Sequence, residues 1–477
     1  MDFLQAKRVH FIGLGGIGVS AIARFCVEGG VWVSGSDRAD FDQAENLWER
    51  GIKVFTKHSA KNLPKDVEVV VFSSAVPAEN PELAEARKRG IPCLEYVEAL
   101  GEIMKGKYSI GVSGTNGKTT TTAMLGKILE EAKMDPMVVV GGKVPGWDAN
   151  LRLPALHRTT LCNTQGSPVC NLFVVEACEY RRHFLKLSPK AVVLTNIEAE
   201  HLDYFKDLAD VKNAFSEYVR KLPKDGYLVY NADDKNVVEV AKSANVKKIS
   251  CSLSKKADAE AKNIRYEKGK QVFDIVWKGK NIGAFRIGVP GAFNVMNALE
   301  ATAGALFLGV KPESARKALS KFSDTWRRFE RVGKTGKAII ISDYAHHPAG
   351  VGATIRATKE LYPKKKILFV FQPHQKDRTF KLLREFAEEL SKADNVVLSE
   401  IYEVAGRNEV SKNVSSRDIV REMEAIHKTT LCMYSVSVKE TEKMVRKILP
   451  EYDVIVIMGA GDIYTVANAL VRKVHKV

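Results

Sequence analysis

Short apolar runs recur along the chain, each stopped by glycine, serine or an acid. Between them lie segments whose apolar residues return every third or fourth position. That alternation predicts buried strands joined by amphipathic helices. The first runs lie within RVHFIGLGGIGVSAIARFCVEGGVWVSGSD (residues 8–37) and at Val67–Phe72. Further strands are predicted at Tyr108–Val112, 137–142, Leu172–Tyr180, the start of Ala191–Phe205, and Tyr227–Tyr230. Residues 260–288 alternate and read as hairpins, and Gly291–Leu306 reads as a helix. Another set covers Ala338–Tyr344, Lys366–His374, VVLSEIY from Val396 and VIVIMGAGD from Val454. Lys143–Asn171 has no periodicity and reads as a long loop.

The stretch Gly111–Thr122, GVSGTNGKTTTT, lies between a strand and a helix whose apolar face is Met124, Leu125, Ile128, Leu129 and Ala132. Strand, glycine turn, lysine, hydroxyl and helix make a phosphate cradle: backbone N–H groups and the helix start face an anion. Lys118 reaches terminal phosphates and the Thr119 hydroxyl suits Mg²⁺. Val112 stands where the strict motif has its first glycine, with Gly111 and Gly114 on either side. The plainer alternative is a glycine turn capping an ordinary helix.

Two strand ends supply acids beside this loop. Glu176 ends one run; Glu198, Glu200, His201 and Asp203 follow the other. Together they read as a Mg²⁺ site; taken singly they are equally a strand-end ion pair and a loop histidine. Near the N-terminus, Gly13, Gly15 and Gly18 form a dinucleotide-type glycine fingerprint between two strands, with Asp37 placed to meet a ribose hydroxyl. Ser73 and Ser74 end the third strand and face the same crevice. A third strand-end group is Asp343 with His346 and His347, read as functional rather than as helix capping.

The resulting fold class is α/β with three domains: an N-terminal Rossmann-like domain (1–106), a central P-loop ATPase-like parallel sheet (107–325), and a C-terminal Rossmann-like doubly wound sheet (326–477). Lys105-Gly106-Lys107 is the first hinge. The formal charge of +16 suits phosphorylated small molecules, and the scattered lysines argue against nucleic acid. No apolar run approaches the ~20 residues of a membrane span. The N-terminus shows no signal peptide. Seven cysteines, with Cys162, Cys170 and Cys178 eight residues apart, suit a reducing cytoplasm rather than disulfides or zinc.

The motifs GLGGIGVS, SSAVP, GTNGKTTTT, EACEYRRHFL, TNIEAEHLDYF, NVMNALEA, RRFE, DYAHHP, FQPHQKDRT and GAGDI resemble those of the Mur ligases, the ATP-dependent amide-forming enzymes of peptidoglycan synthesis. The resemblance covers nearly the whole chain and is greatest to the alanine-adding branch. It implies that L-alanine is joined to the carboxylate of UDP-N-acetylmuramate through an acyl phosphate, with ATP and Mg²⁺. It implies that Gly15, Gly16, Ile17, Asp37, Ser73 and Ser74 hold the sugar nucleotide. Gly114, Thr115, Asn116, Gly117, Lys118, Thr119 and Thr120, with Asn294 and Asn297 near the adenine, would hold ATP. Thr119 and Glu176 would hold one Mg²⁺, and His201 a second. Lys118, Asp343, His346 and Arg327 are the implied catalytic group, and His346, His374 and Arg378 the contacts to alanine and the substrate carboxylate. Closure of the third domain over the second would exclude water. A cytoplasmic monomer or weak homodimer, without nucleic acid or membrane, is expected.

The chain departs from that branch at Asn116 and Phe293, where histidine is usual, and at Cys178, where an acid is usual. Leu153–Cys170 has no recognised counterpart. Peptide-extending siblings carry a carbamylated lysine where this chain has Phe215. Three rival readings remain distinct: a ligase for recycled peptide, a nicotinamide-dependent dehydrogenase that leaves the phosphate cradle unexplained, and a nucleotide sensor that binds without turnover.

Overall fold

The computed structural model describes residues 3–38, 44–155, 171–201, 204–323, 325–403, 413–426 and 430–472. Asp203, Asp324, Gly406-Arg407-Asn408 and residues 156–170, with Cys162 and Cys170, lie outside them. Contacts divide the chain into two compact units. The first is Met1–Lys262 with Asp274–Phe285 and Met296–Ser320; the second is Asn263–Phe273 with Arg286–Val295 and Lys321–Val477.

The first unit opens with β1 (Arg8–Ile12), β2 (Trp32–Ser36), β3 (Lys53–Phe55), β4 (Val69–Phe72) and β5 (Cys93–Glu95). They form a parallel sheet in the order β3-β2-β1-β4-β5. The strands are apolar on both faces because helices cover both, so Val9, Phe11, Val33 and Val71 are buried without alternation. β1 and β4 end side by side, which brings the turn after β1 to Ser73; a Cβ on Gly13 would sit 2.9 Å from the Ser73 Cβ.

Beneath this sheet lies one fully buried acid. Glu82 accepts hydrogen bonds from the Ser59 amide (3.0 Å), the Asn62 side chain (2.6 Å) and Ser36. His10 and His58 approach it at 3.4 and 3.6 Å. Burial alone would raise its pKa, but bonds from His10, Ser36, Ser59 and Asn62 prevail and lower it from 4.5 to about 2. Its stabilising effect is therefore full above pH 4.5 and disappears as pH falls toward 2.

A second sheet begins with β6 (Tyr108–Ser113), β7 (Met137–Val139), β8 (Leu151–Arg152), β9 (Leu172–Glu176), β10 (Ala191–Leu194), β11 (Tyr227–Asn231) and β12 (Lys247–Ser252). It continues through β13 (Ala259–Glu267), β14 (Lys270–Trp277) and β15 (Lys280–Ile287). The order is β15-β14-β13-β12-β11-β10-β6-β9-β7-β8. β6 thus lies between β9 and β10, both parallel to it. The expected hairpins are present over 260–288. Their turns, Lys268-Gly269 and Lys278-Gly279, have positive φ at both residues, the geometry that closes a two-residue hairpin. The stretch from Lys143 is not wholly loop, because β8 pairs antiparallel with β7.

In the second unit, β16 (Glu330–Thr335), β17 (Ala338–Asp343), β18 (Ile367–Phe371), β19 (Asn395–Ser399), β20 (Leu431–Ser435) and β21 (Val454–Met458) are ordered β16-β17-β21-β18-β19-β20. The expected parallel core is there. An antiparallel edge strand, β16, and a sixth strand, β20, are added. Both are half-exposed edges, so neither carries the continuous apolar run that marks a buried strand.

Replacing Glu82 by Gln should lower the urea midpoint at pH 7, a loss of roughly 2–3 kcal/mol for its charge-assisted bonds. The fall of the midpoint between pH 4.5 and 2 should also flatten. Circular dichroism during urea titration at several pH values checks both.

Candidate active site

The turn after β6 has only glycine-compatible corners. Gly114 has φ 137° and Gly117 φ 83°. A Cβ on Gly114 would collide with Thr195 Oγ1 and lie 2.9 Å from the Asn196 carbonyl; one on Gly117 would collide with Asn297 Oδ1. Gly117 caps the helix Lys118–Glu131, so the first N–H groups of that helix face the turn. The loop after β10 laces the turn shut. Thr115 N donates to Asn196 O (2.8 Å), Asn116 N to Asn196 Oδ1 (2.8 Å), and Glu198 N to Thr115 Oγ1 (2.9 Å). Gly111, within β6, is also required: a Cβ there would strike the buried Tyr218 hydroxyl.

Charge converges on Lys118. Its ammonium donates to the Gly114 and Thr115 carbonyls (2.5 and 2.9 Å) and pairs with Glu179 at 3.0 Å. Burial works to lower its pKa, but the carboxylates of Glu179, Glu200 and Glu176 outweigh that and raise it, so the lysine stays charged. Burial pushes the Glu179 carboxyl up while Lys118 pulls it back. Burial also raises the Cys178 thiol, to about 12, so the residue standing in for an acid is neutral here.

On the β9 side, Thr119 Oγ1 donates to Glu176 Oε1 (3.1 Å), and Gly141 N to Glu176 Oε2 (2.6 Å). Glu179, just after β9, meets Glu200 and His201 from the loop after β10: one ligand atom of each lies within 4.8 Å of the others. These oxygen-rich sets suit a hard divalent cation. The structure therefore brings together Lys118, Thr119 and Glu176 as expected. His201, expected at a second ion, lies with Glu179 and Glu200. Glu179 was not singled out from sequence; its signal was a second acid three residues after Glu176. Thr120 is buried in the first helical turn, and Asn297 packs on Gly117. The Asn294 amide donates to the Pro290 carbonyl (2.7 Å).

At the first glycine turn, Gly16 caps the helix that starts at Ile17. Asp37 accepts from the Gly15 amide (2.8 Å), so it braces the turn. Ser73 Oγ accepts from Ala75 N (3.3 Å), and the Ser74 carbonyl from Arg181 (3.2 Å).

Within the second unit, Arg327 is buried with φ 55°. Its guanidinium donates to the Gly459 and Gly461 carbonyls inside a cage of Trp326, Tyr344 and Tyr464. Asp343 accepts from Phe329 N (2.6 Å), Ala345 N (2.8 Å) and Thr354 (3.3 Å), and burial raises its pKa. Both therefore hold the end of β17 in shape, a role that the residue types alone did not reveal. His346 and His374 come together with ring centroids 6.1 Å apart, and His374 stacks on Tyr402. Arg378 follows in the helix Lys376–Lys381 and is half-buried.

A lysine-bearing glycine loop, braced by acids on both neighbouring strands of a parallel sheet, defines a phosphate-loop enzyme of nucleoside triphosphate chemistry. Family models match along the chain: "Mur ligase family, catalytic domain" at residues 8–108, "Mur ligase middle domain" at 112–305 and "Mur ligase, glutamate ligase domain" at 327–461. The chain belongs to the Mur ligase family. It is 38% identical over 466 residues to the UDP-N-acetylmuramate–L-alanine ligase of Clostridium novyi, covering 97% of this chain and 96% of that one. It is 36% identical to the ligase of that name from Aquifex aeolicus, covering 99% and 98%. Among solved structures, UDP-N-acetylmuramate-alanine ligase of Thermotoga maritima superposes with a TM-score of 0.80 at 26% identity, covering 97% and 98%. A murein peptide ligase of Psychrobacter arcticus shares the fold, with a TM-score of 0.71 at 22% identity.

Gly117→Ala should weaken ATP binding more than about tenfold and lower the melting temperature by several degrees, since φ and space both forbid a Cβ. Gly304→Ala, with its nearest neighbour at 3.6 Å in a helix, should leave ATP affinity unchanged and melt no lower. Calorimetry and thermal melts of the two variants check this.

Proposed function

We propose that the protein joins L-alanine to the lactyl carboxylate of UDP-N-acetylmuramate at the expense of ATP, in peptidoglycan precursor synthesis. The observation that carries the reading is the charged loop itself: Thr119 faces Glu176 at the end of β9, and Lys118 faces Glu179 three residues further on. Full-length similarity to ligases of that name supplies the acid and the amine.

A carboxylate and a triphosphate repel, so the site must cancel charge before they meet. Lys118 and the backbone N–H groups after Gly117 receive the phosphates. Thr119 and Glu176 are the oxygen donors that would hold Mg²⁺; the bound ion supplies further charge neutralisation. The lactyl carboxylate oxygen attacks the γ-phosphorus, the bond to the β-phosphate oxygen breaks, and ADP leaves. The neutral alanine amine then attacks the acyl carbon, and phosphate departs. Proton removal from the amine falls to His346 rather than Asp343, whose oxygens already accept two amide hydrogens. His346 Nδ1 lies 3.0 Å from the Tyr344 carbonyl and must donate to it, which makes Nε2 the proton-accepting nitrogen. The domain roles follow the three matched segments: sugar nucleotide, then ATP and Mg²⁺, then amino acid. Small-molecule substrates and a monomer or weak homodimer in the cytoplasm complete the proposal. Among the described residues no helix is long and apolar enough to cross a membrane.

The recycled-peptide alternative is less favoured, because the full-length relatives are named for alanine. At the position where peptide-extending siblings carry their modified lysine, Phe215 is fully buried with its ring 5.2 Å from Phe184, which sets the chain apart from those siblings.

Protein mixed with ATP, Mg²⁺, UDP-N-acetylmuramate and single amino acids should release phosphate with alanine and at least about tenfold less with tripeptide. Lys118→Ala should abolish release while leaving circular dichroism unchanged. Absence of alanine-dependent phosphate from the wild-type protein would overturn the assignment.

A further inference from the structure

After β9 the chain passes through two consecutive residues in a conformation that L side chains rarely adopt. Arg181 has φ 51°, ψ 25° and Arg182 φ 56°, ψ 27°. Each non-glycine residue held so is strained, and such strain persists only where the surroundings impose it. The support lies underneath. Phe184 is fully buried, stacked on Tyr218 (4.5 Å between centroids) and edge-on to Phe215. Arg182 is tied down by Asp210 (2.7 Å) and Glu217 (2.9 Å).

The strained pair sends the two arginines to different partners. Arg182 goes to the acids of the helix Leu208–Arg220. Arg181 goes to the loop after β4, where Nη1 donates to the Ser74 carbonyl at 3.2 Å. Its guanidinium carbon lies 5.6 Å from the Tyr180 ring. Arg181 is exposed, and among the described residues its cation has no carboxylate partner.

Rings connect the two halves of the unit at this place. Tyr96 lies against Gly18 of the first glycine turn, where a Cβ would be 2.7 Å from its ring. His183 is edge-on to both Tyr96 and Tyr180 at 6.4 Å, and Tyr180 lies 4.7 Å from His201 beside the acids. Burial, Arg181 and Lys186 all lower the His183 pKa. These rings run from the first glycine turn to His201 beside the acids.

We propose that Arg181 is a substrate-binding residue that receives an anionic oxygen of the sugar nucleotide, from its lactyl carboxylate or its diphosphate. This rests on the functional reading above. A guanidinium suits the task because its fork can grip two oxygens of either group. The backbone strain then has a function: it separates the two arginines and keeps one of them for the ligand.

Two variants test this. Arg181→Gly removes the cation and relaxes the left-handed residue, so it should melt no lower than wild type. Arg181→Lys keeps a charge without the fork. In Arg181→Gly, the calorimetric Kd and the KM for UDP-N-acetylmuramate should rise about ten- to hundredfold, with kcat within about threefold and ATP affinity unchanged. Arg181→Lys should fall between. UDP-N-acetylglucosamine, which lacks the lactyl group, separates the sources. An equal loss of its affinity assigns the diphosphate, and no loss assigns the carboxylate. Unchanged UDP-N-acetylmuramate affinity in both variants would overturn the proposal. Because affinity is read without turnover, that outcome is distinct from a wild-type protein that binds the sugar nucleotide yet forms no amide.

Discussion

Lys118 is a half-buried cation held by two carbonyls and a carboxylate, and the site depends on how nearly balanced that arrangement is. At 3.0 Å, attraction to Glu179 is about 5 kcal/mol at an effective dielectric near 20. Desolvating each ion costs several kcal/mol. The two effects nearly cancel, so the pair fixes the lysine without locking it. A polyphosphate offers more negative charge and can take the lysine over, while Glu179 keeps its neighbours Glu200 and His201.

The sheet order makes this possible. With β6 between β9 and β10, one glycine turn faces acids from both sides. The remaining contacts are short backbone bonds that leave the turn few alternatives. Three non-glycine residues with positive φ, Arg181, Arg182 and His201, lie around it. Strain at the acids' side of the site, supported by the buried Phe184–Phe215–Tyr218 cluster, places side chains where an unstrained turn would not.

Much of this was legible in the sequence because it depends on residue type and spacing. A lysine after a glycine turn, and Glu176 at the end of an apolar run, pointed to one site beside the turn, and the fold brings Thr119 and Glu176 into contact there. What was not legible concerns backbone partners. Asp37, Asn294 and Asp343 have side chains suited to ligands, yet each bonds the backbone: the two acids accept from amides, and Asn294 donates to a carbonyl. Arg327 likewise satisfies glycine carbonyls of a distant loop. Such demands arise only once the chain is folded. The edge strands β8, β16 and β20 escaped notice because an edge needs no continuous apolar run.

The central claim is that Lys118 exchanges a protein carboxylate for phosphate while Thr119 and Glu176 hold the metal. A crystal structure with a non-hydrolysable ATP analogue and Mn²⁺, located by its anomalous signal, tests it directly. The account predicts the ion bonded to Thr119 Oγ1 and Glu176, with the lysine ammonium moved from Glu179 onto the phosphates. An ion away from Glu176, with Lys118 still on Glu179, would contradict it.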